Sequence, residues 1–373
     1  MQTVIIFLIV IVVLVVAHEL GHFFTAKLFG IRVDEFGLGY PPRAGKLFLW
    51  RGTQFTANWL PFGGFVKIFG EDEGSSDQET SFAYQRKWKR VLVIVAGILS
   101  NIILAMVLYS ISFGIGFLAA PGDFPGSVAT GAPYVMITSV LKNSPAGAPE
   151  AGLRVGDQIR SLSVQKESVE IKKQEDIISF VKNHQTDLIT ISYFRPKSGL
   201  LSSAVATPAP NANINDYQKS GPRTLGISIA EVENVRLPFF SAITTGIKYT
   251  FIQFKFIILS LGVLFAGIFK SGSSILSDVA GPVGIAQFAG QAYSLGAGSL
   301  LSFMALISVN LAVINLLPFP ALDGGRLIIE LFTSRGRSKI PARVIGAINQ
   351  IGFIILIVFM LYITYRDILK LVV

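Results

Sequence analysis

The sequence predicts a polytopic α-helical membrane protein with four transmembrane helices, a membrane-associated β-hairpin or small sheet, and one inserted extracytoplasmic α/β domain. Three observations carry that prediction. Hydrophobic residues make up 51% of the 373-residue chain, more than the surface of an ordinary soluble protein allows. They gather into runs long enough to cross a bilayer, which takes about 20 residues at 1.5 Å each. Between Pro121 and Arg236 the composition changes to that of a soluble domain.

The first element is the run Val4 to Phe29, in which only His18, Glu19, His22 and Lys27 can ionise. A secretory signal peptide would open on a basic region, and its apolar core would not carry His-Glu-x-x-His. The run therefore reads as a span. Ionisable groups at that depth cost a few kcal/mol each, so a function is expected of them. His-x-x-x-His sets two imidazoles on one helix face, close enough to hold one zinc ion. Glu19 stands beside them, where it can take a proton from water at the metal. Two histidines satisfied by neighbouring backbone would leave the glutamate unexplained.

The loop that follows has strand character. K-L-F-L-W and T-Q-F-T-A-N-W-L alternate around the turn Arg51-Gly52, and P-F-G-G-F-V-K-I-F-G, residues 61 to 70, offers a further strand. Two readings stay open: a small sheet covering the membrane surface, or an edge strand that pairs with an extended peptide. On the second, Gly63, Gly64, Phe65 and Val66 are the substrate-binding candidates.

The second span is Val91 to Ala119, approached through R-K-W-K-R at 86 to 90. In the soluble insert, Val135 to Val140 reads as a strand and Pro145 to Ala151 as a short helix. G-L-R-V-G-D (152 to 157) is then a tight turn into the strand Gln158 to Leu162. The amphipathic helix Glu175 to His184 and the strands Leu188 to Phe194, Leu201 to Ala206 and Thr224 to Ala230 complete it. This order, with its N-S-P-A-G-A-P-E-A-G-L-R-V-G-D run, resembles a PDZ domain of the bacterial protease type. Leu237 to Ile268 is apolar but interrupted by Lys248 and Lys255, and is expected to be interfacial or re-entrant. Leu300 to Leu317 and Val344 to Tyr365 are the third and fourth spans. The expected organisation is thus a first membrane half at 1–120, a PDZ-like domain at 121–236, the amphipathic segment at 237–299 and a second membrane half at 300–373.

The net charge of +9 would suggest nucleic acid in a soluble chain, but here Lys and Arg cluster beside apolar segments, as in R-G-R-S-K at 335 to 339. That is a topology signal, so the bilayer is the expected partner and nucleic acid is not. With no cysteine, disulfides, thiol catalysis and Cys-ligated zinc are excluded.

A catalytic zinc usually has three protein ligands and one open position. The chain has three histidines, and the third, His184, falls in the soluble insert. The missing ligand should be a carboxylate from another membrane segment. N-L-L-P-F-P-A-L-D-G-G, residues 315 to 325, offers Asp323, where prolines and glycines break a helix at a depth that tolerates irregular backbone only if it is buried or faces water. Charge supports the choice. With the amino terminus outside, the clusters at 86 to 90 and 326 to 343 are both inside, and Asp323 reaches the depth of the histidines only if the 237–268 stretch does not cross.

With these motifs in hand, the chain resembles the bacterial site-2 proteases, the RseP-like intramembrane zinc metalloproteases, over essentially its whole length. His-Glu-Leu-Gly-His in the first span, the PDZ-like insert, Asn-x-x-Pro-x-x-x-Leu-Asp-Gly, and the segments R-V-L-V-I-V-A-G-I-L-S-N and F-G-G-F-V-K carry the resemblance. It implies zinc-dependent cleavage of single-pass membrane proteins within or near their transmembrane segments, in the bacterial inner membrane. It implies regulated intramembrane proteolysis, of anti-sigma factors or signal-peptide remnants for example, usually after another protease has trimmed the substrate. It also implies that Asn315 helps hold the substrate backbone and that the PDZ domain screens access. There is room for one such domain, where several relatives have two. A zinc transporter would leave Glu19 and the PDZ-like insert idle, and a PDZ scaffold with a structural metal site would go with degenerate motifs, which these are not.

Overall fold

The computed structural model describes residues 2–71, 78–141, 144–165, 167–196, 198–210, 223–271, 280–332 and 342–372. In chain order, α1 (Gln2–Leu28) precedes β1 (Val33–Trp50), β2 (Thr53–Ile68) and α2 (Lys87–Ile115). The strands β3 (Phe117–Ala119), β4 (Val128–Ala129), β5 (Tyr134–Val140), β6 (Gln158–Val164) and β7 (Glu167–Glu170) lead to α3 (Gln174–Asn183). Next come β8 (Ile189–Arg195), β9 (Leu200–Ala206), β10 (Ala209–Pro210), β11 (Arg223–Thr224) and β12 (Ile227–Arg236). The remainder is helical: α4 (Phe239–Ser271), α5 (Pro282–Ser294), α6 (Ala297–Leu316), α7 (Asp323–Phe332) and α8 (Ala342–Val372). The chain divides into two compact units, one of Met1–Ile111, Ala242–Gly290 and Leu300–Val373, the other of Ser112–Ser241 and Gln291–Ser299.

In the first unit α1 is apolar almost throughout and stops at Gly30, whose φ of 74° is left-handed. Ile31 N–H donates to Ala26 O at 2.9 Å across that glycine, the closing bond of a Schellman cap. The chain then enters a curled sheet. Arg51 and Gly52 both have positive φ, as a two-residue hairpin turn requires, and Trp50 pairs with Thr53 across them. Both strands bend back on themselves. The first part of β1 lies between two pieces of β2, with Phe36 facing Val66 and Phe55, Gly37 facing Phe65 and Thr56, and Leu38 facing Gly64 and Ala57. Residues 43–50 pair with the outer side of 53–58. Residues 64–68 are therefore an edge of this sheet. Phe23, Phe36, Val33, Ile31 and Ile68 form the core beneath it. Leu47, Phe48, Leu49, Trp50, Trp59 and Leu60 are exposed, as in a sheet that meets lipid.

α2 packs antiparallel to α1 through small residues. A Cβ on Gly21 would collide with the carbonyl of Ala96, and this close approach is what small residues permit between membrane helices. α2 ends at Gly116, with φ 113°. Residues 117–119, expected as the last turn of the second span, are instead strand β3.

In the second unit the sheet order is β3-β12-β5-β6-β8-β9, with β4 on β12 and β7 on β6, while β10 and β11 pair separately. Val135, Ile137, Ile159, Leu162, Ile189 and Ile191 form its core with Ile177 and Phe180 of α3. Asp157, the last residue of G-L-R-V-G-D, is 1% exposed. Its carboxylate accepts from Arg154 N–H at 2.8 Å and from the Arg195 guanidinium at 2.7 Å, tying the turn to β8. The helix expected at Pro145 to Ala151 is only one 3-10 turn, Pro145–Gly147, because Ala148 precedes Pro149 and is extended. Also in this unit, Leu237 N–H donates to Phe113 O at 2.9 Å and Ser112 Oγ to Gly298 O at 2.7 Å. The end of α2 and the starts of α4 and α6 thus meet at one place.

Among the described residues five helices are long and apolar enough to cross a membrane, those at Gln2–Leu28, Lys87–Ile115, Phe239–Leu264, Ala297–Leu316 and Val344–Leu369. The chain is a multi-pass membrane protein. The interruption expected within Leu237 to Ile268 is absent, and the re-entrant form goes with it: α4 runs through Lys248 and Lys255 without a break. The cluster at 335–339 lies outside the described residues.

Candidate metal centre

Helical geometry builds the first part of the site. Val10, Leu14 and His18 are buried at intervals of four on α1, and His22 extends the same row toward α2. His22 Nδ1–H donates to Val93 O at 2.8 Å, which leaves Nε2 free. Val15 and Glu19 form the neighbouring row, against the sheet. A Cβ on Gly64 would stand 3.3 Å from Val15 and 3.4 Å from the Glu19 side chain, so the bare backbone of the edge strand runs beside this carboxylate.

The last component comes from the other end of the chain. α6 ends at Leu316, and the turn that follows closes through Leu322 N–H to Phe319 O at 3.2 Å. Asp323 opens α7. A Cβ on Gly324 would meet the carbonyls of Leu316 and Leu317, and one on Gly325 the carbonyl of Phe319. Two glycines after the aspartate are what let α7 begin directly on that turn. α7 is held in turn by α2: the Arg90 guanidinium, 1% exposed, pairs with Glu330 at 2.6 Å. Arg326 pairs with Glu71 at 2.8 Å.

The three predicted ligand atoms converge. His18 Nε2 is 3.1 Å from Asp323 Oδ2, His22 Nε2 is 3.4 Å from it, and the two Nε2 atoms are 3.2 Å apart. Donor atoms of a tetrahedral zinc with bonds of about 2.1 Å stand roughly 3.4 Å from one another. His18 and Asp323 are each 9% exposed, and Asp323 Oδ2 is a buried oxygen without a well-directed hydrogen bond. Lone pairs turned toward one another in a buried pocket fit a cation, so the residues present suit zinc. Among the described residues these three are also the group of His, Cys, Asp and Glu side chains placed to hold a metal.

The other predicted positions are more spread out. Gly64, Phe65 and Val66 are on the edge strand, while the Gly63 backbone has φ 101° and packs against the Tyr40 ring. Asn315 sits in the last turn of α6, upstream of Asp323. His184 caps α3 in the second unit, stacked on Phe180.

Sequence reasoning overlooked α2 as a wall of the site. A Cβ on Gly97 would collide with the His22 and His18 rings. The signal was present in V-A-G-I-L-S-N, where small residues recur at helical spacing. Gly97→Val is expected to displace both imidazoles and to leave purified protein with little zinc. Wild-type zinc content in that variant, by elemental analysis, would show that the wall can yield.

Fold and site define the class, a multi-pass membrane protein in which two histidines and a carboxylate are arranged for one metal ion. Comparison with known proteins makes it particular. Residues 6–359 match Peptidase family M50. A protein of Clostridium perfringens named as a zinc metalloprotease is 36% identical over 359 residues, 95% of each chain. Another so named, from Clostridium acetobutylicum, is 30% identical over 362 residues, covering 95% of this chain and 94% of its own. Eep of Enterococcus faecalis, named as a protease, is 27% identical over 454 residues, 99% of each chain. The chain belongs to peptidase family M50, the site-2 protease family, and is a membrane zinc metalloprotease.

Proposed function

We propose that this enzyme hydrolyses peptide bonds within or near the transmembrane segments of single-pass membrane proteins, with His18, His22 and Asp323 as zinc ligands and Glu19 as general base. The observation that carries this reading is the cluster of three ligand atoms within 3.1 to 3.4 Å of one another, buried against α2. Bound there, zinc supplies Lewis acidity, polarising a carbonyl and acidifying water. The Glu19 carboxylate accepts the proton of the attacking water and passes it to the leaving amine.

The edge strand serves the substrate. A helical substrate shields its carbonyls in its own hydrogen bonds, so one peptide bond must be unwound before it can be attacked. Backbone groups released in a low-dielectric site cost roughly 1 to 3 kcal/mol each if unpaired. Pairing with residues 64–68 satisfies them whatever the side chains are, and Gly64 keeps the strand flush with Glu19. Asn315 is the further backbone-holding candidate.

Topology completes the proposal. α4 and α6 leave from the end where α2 arrives, so the chain between them makes no net crossing. α5, packed by Gly290 on Thr3 at the start of α1, is about 20 Å long and too short to return. We therefore take α4 as interfacial, which gives four crossings, the metal centre toward the cytoplasmic half and the second unit outside. That unit we read as PDZ-like, screening substrates that another protease has already trimmed, as in regulated intramembrane proteolysis.

Purified protein incubated with a model single-pass substrate tests the activity, with loss of cleavage on chelation and recovery on zinc addition as the expected result. No cleavage by zinc-loaded protein would overturn it. For the strand, proline lacks the N–H that a ladder needs. Phe65→Pro and Val66→Pro should each lower cleavage about tenfold or more, on the cost of an unpaired group, while zinc stays bound. If both cleave at the wild-type rate, the sheet is a cover and the substrate is held elsewhere.

A further inference from the structure

The ligand reading above leaves one nitrogen unaccounted for. His18 and His22 both turn Nε2 toward Asp323. A ring nitrogen that coordinates uses its lone pair, so the ring hydrogen must sit on Nδ1. For His22 the acceptor is the Val93 carbonyl at 2.8 Å. For His18 the group facing Nδ1 is the side-chain amide of Asn101, at 3.3 Å.

Asn101 is on α2, fully buried at 0% exposed. Its backbone is fixed as well, since Ser308 Oγ of α6 donates to its carbonyl at 2.8 Å. Its Oδ1 is buried without a hydrogen-bond partner. A buried unsatisfied acceptor is uncommon and calls for a cause. Nitrogen and oxygen of an amide exchange places by a half turn of the carboxamide. Turned so that Oδ1 faces Nδ1–H, the otherwise idle acceptor meets a donor that otherwise has none.

We propose that Asn101 is a positioning residue for the metal centre: its amide oxygen accepts from His18 Nδ1–H, fixing the ring plane and the tautomer that presents Nε2. The inference rests on His18 being a ligand. The two histidines would then be held alike, each by an oxygen of α2, with Val93 and Asn101 two turns apart on the face that carries Gly97. Outer partners of ligating histidines commonly set metal affinity by 10- to 100-fold.

The test uses full-length protein in detergent, with zinc affinity read by chelator competition and the ring nitrogens by ¹⁵N–¹H correlation. With three histidines in the chain, His18→Ala and His184→Ala assign the signals. In the zinc-loaded wild type, His18 should show a protonated Nδ1 and a zinc-shifted Nε2. Asn101→Leu removes the acceptor and should weaken zinc about 10- to 100-fold. Asn101→Asp keeps an oxygen there and should bind zinc at least as tightly as the wild type. The proposal is overturned if Asn101→Leu binds as the wild type does, if Asn101→Asp is as weak as Asn101→Leu, or if His18 Nδ1 carries no proton. Should Asn101→Leu fail to fold, the aspartate variant and the wild-type spectrum still decide. Undiminished zinc affinity in His18→Ala would instead remove the ligand assignment itself.

Discussion

Protein carrying Glu19→Gln is expected to hold one zinc per chain, as the wild type does, and to lose roughly 10²- to 10⁴-fold in cleavage rate, the usual worth of a general base. The amide has nearly the shape of the carboxylate, so α1 and the contact with Gly64 should be undisturbed. What disappears is the ability to take a proton. Glu19 lies one position round the helix from the ligand row, beside the cluster without belonging to the group of three placed to hold a metal. Substitution should therefore separate binding from catalysis. The measurement is single-turnover cleavage of a model membrane substrate, with metal content determined on the same preparation. Cleavage within a few-fold of wild type would take the base assignment away from Glu19, and lost zinc would make it a ligand.

Asp323→Ala should have the opposite signature, in which metal and activity go together. Its Oδ2 is the atom on which both Nε2 nitrogens converge, at 3.1 and 3.4 Å. Removing it leaves two ligands four residues apart on one helix. Loss of even an outer partner of a zinc ligand costs 10- to 100-fold in affinity, so loss of the carboxylate should cost at least about 100-fold, and protein purified without added zinc should be largely metal-free. The fold should survive, because α7 is also anchored by Arg90–Glu330 and by Lys87 Nζ donating to Leu331 O. Chelator competition gives the affinity and circular dichroism the fold. Unchanged affinity would remove Asp323 from the ligand set.

The convergence of His18, His22 and Asp323 was legible in the sequence for two reasons. An i, i+4 pair meets whatever the tertiary structure, and a count of three ligands against a chain with one remaining distant histidine forces a carboxylate. The turn Arg51-Gly52 was legible for an equally local reason. Asn101 was not, and Gly97 left only the trace of small residues at helical spacing, because their roles exist only once α2 lies against α1. The curl of the sheet was hidden too: pairing of Phe36 with both Val66 and Phe55 is a long-range choice that alternation along one strand does not encode. At α4, Lys248 and Lys255 read as interruptions. They are two helical turns apart, so they share one face, and a long side chain on a single stripe can reach water while the helix continues.

The place where α2 ends and α4 and α6 begin has a mechanical consequence. Within the second unit β3 is paired to β12 and Leu237 N–H donates to Phe113 O, so the chains that enter and leave it are fastened side by side. A domain hung this way can change in length or sequence without prising the membrane helices apart, as inserts with adjacent ends generally can. Two of the helices that end or begin there carry residues of the candidate site: α2 those packed on the histidines, and α6 Asn315, just before the turn to Asp323. A twist or pull along either one would arrive at the residues packed on His18 and His22 or at the turn that opens on Asp323.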